Sequence, residues 1–168
     1  MIQTYRIKDL ERSIRVLIIL FTITLSIGFF TGISFVHFTT SSTTDGITEN
    51  YQGNEDDEDA EIMKFKKSRH QMLNILHTHF LSMSLIFFIL ALLVYGCDLS
   101  PFLKQLLMIE PMISVILTFG GIFLVWKGIA WMSYLVLLSG TLMTLSFSAS
   151  AFLIIINALS YGWRPPHN

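Results

Sequence analysis

The distribution of charged residues is the feature that most limits what this chain can fold into. No Asp, Glu, Lys or Arg occurs within residues 16–44, 70–97 or 128–163. A helix needs about 20 apolar residues to cross a bilayer, so each of these stretches can hold one membrane span. A fourth apolar run, residues 102–126, carries Lys104 near its start and a single carboxylate, Glu110.

These runs predict four spans, at about residues 16–36, 73–95, 102–126 and 129–157. Two short turns, at residues 96–101 and 126–131, separate the last three spans, and both contain glycine. Only 14% of the residues are charged, whereas soluble domains carry about 25%. We therefore predict an all-α fold: one integral membrane domain over residues 1–168, built as a four-helix bundle in a lipid bilayer.

The basic residues before the first span predict the orientation of the chain. Arg6, Lys8, Arg12 and Arg15 all precede it, and cytoplasmic segments carry an excess of Lys and Arg. We expect both termini to be cytoplasmic. The first apolar run is longer than a signal-peptide core of about 7–15 residues, so we expect it to remain as an uncleaved span.

With this orientation, residues 37–72 form an acidic, outward-facing loop. It contains the run EDDEDAE at residues 55–61 and the basic cluster KFKKSR at residues 64–69. We interpret the acidic run as a solvated linker and the basic cluster as an anchor that meets lipid headgroups. About 35 residues are too few for an independent core, so we expect a partly ordered cap.

Several classes of function are disfavoured by what the sequence contains. The net charge of -1 gives no basic footprint for nucleic acid. The single cysteine, Cys97, excludes an internal disulfide. No metalloprotease motif, P-loop, dinucleotide fingerprint or nucleophile elbow is present, so we do not predict an enzyme.

Three strings carry a resemblance: TTDGITENYQGN, KFKKS and LHTHFLSMS. With them the chain resembles an uncharacterised family of bacterial four-span integral membrane proteins. Its members share a Gly-Ile-x-Glu-x-Tyr-x-Gly loop and a His-x-His at the start of the second span. The resemblance implies a four-span fold and the bacterial inner (cytoplasmic) membrane. It implies no activity and no functional residue.

Three histidines are candidate ligands. His77 and His79 lie about 200° apart around a helix, so they cannot both bind one metal. His37 ends the first span at a similar outer level. This placement permits a b-type haem between His37 and either His77 or His79. Alternatively, His79 and Met83 share a helix face and could bind copper. The third interpretation is that the histidines are interfacial and bind nothing.

Glu110 is a candidate for a different reason. A carboxylate inside the membrane is costly and marks a functional site by default. Since Pro111 leaves too few residues before Trp126 to cross the bilayer, the third span should begin before Glu110. The alternative interpretation is a glutamate near the interface that reaches water beside Lys104.

Small residues of the fourth span form a stripe made by Gly140, Thr144, Ser148 and Ala151. Small residues at four-residue spacing let helices approach closely in membranes. We predict that the stripe packs against a neighbouring helix, where Gly120 and Gly121 of the third span could receive it. The alternative interpretation is that its hydroxyls line a polar path.

Three functions remain open. We favour a non-catalytic subunit or assembly factor of a larger bacterial inner-membrane complex. The alternatives are a small haem b- or metal-binding protein of electron transfer, and a small transporter or proton-coupled carrier.

Overall fold

The computed structural model describes residues 6–55 and 62–160, and all regular secondary structure within them is helical. The α-helices are α1 Arg12–Thr40, α2 Thr44–Gln52, α3 Arg69–Tyr95, α4 Pro101–Trp126 and α5 Met132–Leu159, and a 3₁₀ turn, Ile7–Asp9, precedes α1. Helices α1, α3, α4 and α5 are long and apolar enough to cross a membrane. The predicted all-α class with four long apolar helices is therefore confirmed. Most of the acidic run, residues 56–61, and Arg164 lie outside the described residues.

Local capping signals define where α3 and α4 begin. The Ser68 hydroxyl accepts the Gln71 N–H at 3.2 Å, and the Gln71 side chain accepts the Ser68 N–H at 2.8 Å. This reciprocal capping box satisfies two N–H groups that the helix cannot pair. At α4 the Ser100 hydroxyl accepts the Leu103 N–H, and Pro101 occupies the first turn, where its missing N–H costs nothing.

Helix α5 is the centre of the bundle. It packs along α4, and it also contacts α1 and α3. Phe147 of α5 is fully buried and stacks on Phe29 of α1, with ring centroids 3.8 Å apart. Phe87 of α3 meets Phe147 edge-on at 6.3 Å. Helix α1 packs chiefly against α5, and α3 packs chiefly against α4.

A glycine does allow α4 and α5 to approach closely, but the residue that it meets is not the one predicted. A Cβ atom on Gly121 would lie 2.7 Å from Val136 Cγ2, whereas one on Gly120 would meet nothing within 4 Å. A Cβ atom on Gly140 would sit 4.0 Å from Thr118 Cγ2, an ordinary contact. The prediction that the α5 stripe fits onto Gly120 and Gly121 was therefore wrong. Val136 fills the space above Gly121 instead.

One end of the bundle gathers the N-terminal turn, the 96–100 turn and the end of α5. The Ile7 N–H donates to the Gly96 carbonyl at 2.9 Å, and the Asp98 N–H donates to the Asn157 side chain at 2.8 Å. Lys8 and Asp98 form an ion pair at 2.5 Å. The hydrogen bond from Lys8 and its positive charge lower the pKa of Asp98.

At the opposite end, residues 41–55 and 62–68 form a cap, which contains the short helix α2. Helix α1 continues to Thr40, and α2 was not predicted. The Thr43 hydroxyl caps α2 by accepting the Gly46 N–H at 3.0 Å. A Cβ atom on Gly46 would lie 2.0 Å from the Thr40 carbonyl oxygen. Only glycine therefore lets α2 turn back so tightly onto the end of α1.

The cap is fastened to the last turn of α4. The Gln52 side chain donates to the Val125 carbonyl at 2.6 Å, and the Trp126 indole N–H donates to the Lys67 carbonyl at 2.7 Å. Gly53, at φ +85°, lies so close to Lys64 and Lys66 that a Cβ atom would collide with their backbone.

The Gly-Ile-x-Glu-x-Tyr-x-Gly string thus has a structural explanation. Its two glycines, Gly46 and Gly53, stand at tight backbone contacts. Ile47 is 4% exposed. Glu49 pairs with Lys64, and the Tyr51 carbonyl accepts the Lys67 N–H. The fixed positions of the string therefore take part in the contacts of the cap.

Candidate functional site

Glu110 joins α4 to α5. Its Oε1 accepts the Ser114 hydroxyl at 2.5 Å, and its Oε2 accepts the hydroxyl of Ser146 on α5. Glu110 is about 14 Å along α4 from Pro101, at 1.5 Å per residue, and it is the only carboxylate within the four long helices. The structure therefore holds a carboxylate between two helices, within the apolar part of the chain.

A groove with a volume of about 440 Å³ runs beside this carboxylate. Its walls are α4 residues between Phe102 and Leu117 and α5 residues between Leu135 and Leu142. Most lining side chains are Leu or Ile, and the polar ones are Gln105, Glu110, Ser114 and Ser139. Because Ile113 and Leu138 are 51% and 59% exposed, the groove opens sideways. Within a membrane, Glu110 would be approached from the lipid side.

Farther along α4, the contact with α5 is polar but closed. The hydroxyls of Thr118 and Ser139 are buried and lie 2.8 Å apart. Ser139 also donates to the Leu135 carbonyl at 2.7 Å. This pair is satisfied internally, and buried polar groups without a partner are costly. The pair links α4 to α5, and Ser139 is also part of the groove lining.

The alternative in which Glu110 lies beside Lys104 is not seen. The Lys104 ammonium lies 5.5 Å from the centroid of the Tyr95 ring. In the described ranges, residues 6–55 and 62–160, the ion pairs are Lys8–Asp98 and Lys64–Glu49. The oxygens of Glu110 accept serine hydroxyls instead, so no cation of the described chain neutralises this carboxylate.

The three histidines differ in exposure. His37 is exposed, with Nδ1 3.2 Å from the Ser42 hydroxyl. His77 is also exposed. His79 is partly buried; its Nδ1 donates to the Ile75 carbonyl at 2.8 Å, and its ring centroid lies 4.7 Å from that of Phe119. The imidazole of His79 is therefore held by its own helix and by α4.

The geometry lends no support to a cofactor at these histidines. A haem between His37 and the His77–His79 pair would need both ring nitrogens to face a gap between α1 and α3. The two helices meet at Phe29 and Phe87, with ring centroids 6.3 Å apart, but His37 and His77 are exposed and His79 bonds to its own helix. His79 and Met83 both belong to α3, so together they offer only two donors from one helix. Met83 packs against the hydrophobic core. Among the described residues, no group of three or more His, Cys, Asp or Glu could hold a metal ion. Both ligand sets stay predictions, and a visible spectrum with metal analysis of the purified protein tests them.

Sequence reasoning found Glu110 but missed its two partners. Ser114 lies four residues after Glu110 and thus on the same helix face, a local signal that was available. Ser146 is on α5, and its contact depends on how α4 and α5 are aligned. The spacing of residues within one helix cannot predict how two helices are aligned.

Comparison with known proteins agrees with this architecture. A family model described as a transmembrane helical domain matches residues 41–164, more than half of the chain. The matched part contains the cap, α3, α4 with Glu110, and α5, whereas α1 precedes it. No curated protein and no solved structure matches the chain. The chain belongs to this family of transmembrane helical domains.

Proposed function

We propose that the protein is a non-catalytic subunit of a bacterial inner-membrane complex and that its α4–α5 groove receives a transmembrane helix of a partner. One observation carries the proposal. The Glu110 carboxylate lies beside a groove open to lipid, and no cation in the described residues pairs with it. An ionisable group inside a membrane usually faces a partner group.

The hydrogen bonds of Glu110 leave room for such a partner. An ionised carboxylate offers about four acceptor positions, and Ser114 and Ser146 use two of them. An Arg or Lys on a neighbouring helix would supply the missing donors and charge. The groove wall on α4, from Phe102 to Leu117, is about 22 Å long. This length suits a helix lying alongside, with its apolar side chains against Leu and Ile.

A second copy of the chain does not supply the cation. Within the four long helices, Lys and Arg occur only near the first turns, at Arg12, Arg15, Arg69 and Lys104. None of them lies at the depth of Glu110. The partner is therefore a different protein, with one basic residue inside its span.

Site-specific photocrosslinking tests the proposal. A photoreactive residue at Ile113 lies in the groove and is 51% exposed in the parent, whereas Leu145 on α5 is 61% exposed and outside the groove lining. We expect a discrete protein adduct from position 113, its loss in the Glu110→Gln background, and only lipid adducts from position 145. Replacing the partner's intramembrane Lys or Arg by Leu should also remove the adduct. Equal adducts from both positions, or an adduct indifferent to Glu110→Gln, would contradict the proposal.

A proton-coupled carrier is the second candidate, because the groove volume of about 440 Å³ is within the range of small-ligand sites. Its carboxylate and apolar walls suit an amphiphilic amine. The test uses vesicles that contain this chain alone and measures accumulation of such an amine driven by a pH gradient. Accumulation that Glu110→Gln abolishes would favour the carrier over the subunit. No accumulation above empty vesicles would exclude the carrier.

We further propose that both termini face the cytoplasm and that the cap faces outward. The four basic residues before the first span support this orientation. In the structure the cap and the N-terminal turn lie at opposite ends of the bundle, as the proposal requires.

A further inference from the structure

We propose that the cap end of α4 binds the phosphate group of an anionic phospholipid through Lys66, Trp126 and Lys127. These three residues are named here the lysine–indole site. It lies about 24 Å along α4 from Glu110, so it is independent of the groove and of the function proposed there.

The ring of Trp126 is held in one orientation. Trp126 is the last residue of α4, and its indole N–H donates to the Lys67 carbonyl at 2.7 Å. The Lys127 ammonium lies 5.0 Å from the ring centroid, and the Lys66 ammonium lies 5.9 Å from it. Both distances are within the range of cation–π contacts. One indole thus brings together lysines from the cap and from the α4–α5 turn.

Among the described residues, positive charge predominates at this site. In the described part of the chain neither Lys66 nor Lys127 forms an ion pair, whereas Lys64, in the same segment as Lys66, is paired with Glu49. The Glu55 carboxylate accepts the backbone N–H of Lys66 at 3.2 Å. Two ammonium groups near one ring repel each other, and an anion that pairs with them offsets this repulsion.

The position of the site favours a lipid over a free anion. Tryptophan at a helix end belongs at the headgroup level of a bilayer, so Lys66 and Lys127 would lie at the level of the phosphates. On the membrane side the Phe123 ring lies 5.7 Å from that of Trp126, and it offers apolar surface for the start of an acyl chain. A phospholipid satisfies both the charge and the apolar surface.

Native mass spectrometry of the purified full chain in detergent tests the site by titration. The probes are short-chain phosphatidylglycerol, phosphatidylcholine of the same chain length, and inorganic phosphate. We expect phosphatidylglycerol to bind at least about tenfold more tightly than phosphatidylcholine. The Lys66→Gln/Lys127→Gln variant should lose about 30-fold in phosphatidylglycerol affinity, since one interfacial lysine contributes about fivefold.

Two matched controls separate this site from general surface charge. Lys64→Gln removes a lysine of the same segment that is already paired. Lys104→Gln removes a lysine that also faces an aromatic ring, but at the other membrane end. Both should keep phosphatidylglycerol affinity within about threefold of the parent. Equal loss in a control, equal binding of the two lipids, or inorganic phosphate binding as tightly as phosphatidylglycerol would overturn the proposal. Because Lys66 and Lys127 are exposed, the double variant should have the same melting temperature as the parent.

Discussion

Replacing Gly121 by Ala should weaken the contact between α4 and α5. The new Cβ atom would lie 2.7 Å from Val136 Cγ2, well inside van der Waals contact. Val136 is 6% exposed, and its β-branched side chain has one strongly preferred rotamer in a helix. Turning away would take it out of this preferred rotamer, so we expect the helices to separate slightly instead. Overpacking of this kind typically lowers the free energy of unfolding by about 1–3 kcal/mol.

A double-mutant cycle isolates this contact. In Gly121→Ala/Val136→Ala the offending methyl group is absent, so the double variant should be about 1–2 kcal/mol more stable than the sum of the single effects predicts. Gly120→Ala is the matched control, because its Cβ atom would meet nothing within 4 Å. Alanine is the better helix former, so the control should be neutral or up to about 1 kcal/mol more stable.

The assay is unfolding of the purified protein by titration of SDS into mild detergent, followed by circular dichroism. Gly121→Ala should unfold at a lower SDS fraction than the parent, and Gly120→Ala should not. The reasoning about this helix contact fails if Gly121→Ala and Gly120→Ala unfold at the same SDS fraction. It also fails if adding Val136→Ala to Gly121→Ala restores no stability.

Three further predictions concern the ends of the bundle. A reporter after Asn168 should be cytoplasmic and one inserted at Gly53 should be external, and the reverse pattern at both sites would refute the orientation. Burial raises the pKa of Cys97 to about 11, and the charge of Lys104 offsets part of this rise. Alkylation at pH 8, followed by mass spectrometry, should therefore be about 100-fold slower than in the denatured chain. The free energy of unfolding should fall between about pH 9 and 11, because the thiol of the unfolded chain ionises first. Equal alkylation rates would contradict this burial. Gly46→Ala would place a Cβ atom 2.0 Å from the Thr40 carbonyl oxygen, so limited proteolysis should cut the cap at least about tenfold faster than in the parent; an unchanged rate would show that α2 tolerates the displacement.

The four spans were predictable because the rule behind them is local. Hydrocarbon excludes charge, so a stretch of about 20 residues without Asp, Glu, Lys or Arg is informative without knowledge of its neighbours. The same rule singled out Glu110, the one carboxylate inside a long helix. The rule predicts nothing further, because it does not say which helices pack against each other.

The features that were missed depend on contacts between distant segments. Helix α2 has only nine residues, and its formation depends on Gly46 fitting against Thr40. The small stripe on α5 defined a helix face, but the side chain that meets Gly121 is Val136. The bond from Ser146 to Glu110 joins residues 36 positions apart in sequence. These outcomes follow from the alignment of whole helices, which no short stretch of sequence contains.

The arrangement of α1 suggests that the chain can work in two pieces. Helix α1 is held by its stack on Phe147 and by α2, and α2 is held by Gln52 on α4. None of these contacts requires the peptide bonds between Glu55 and Ile62. Fragments ending at Glu55 and beginning at Ile62, expressed together, should therefore find each other in the bilayer and co-purify. The first span would then behave as a separable polypeptide that docks onto an already folded three-span unit.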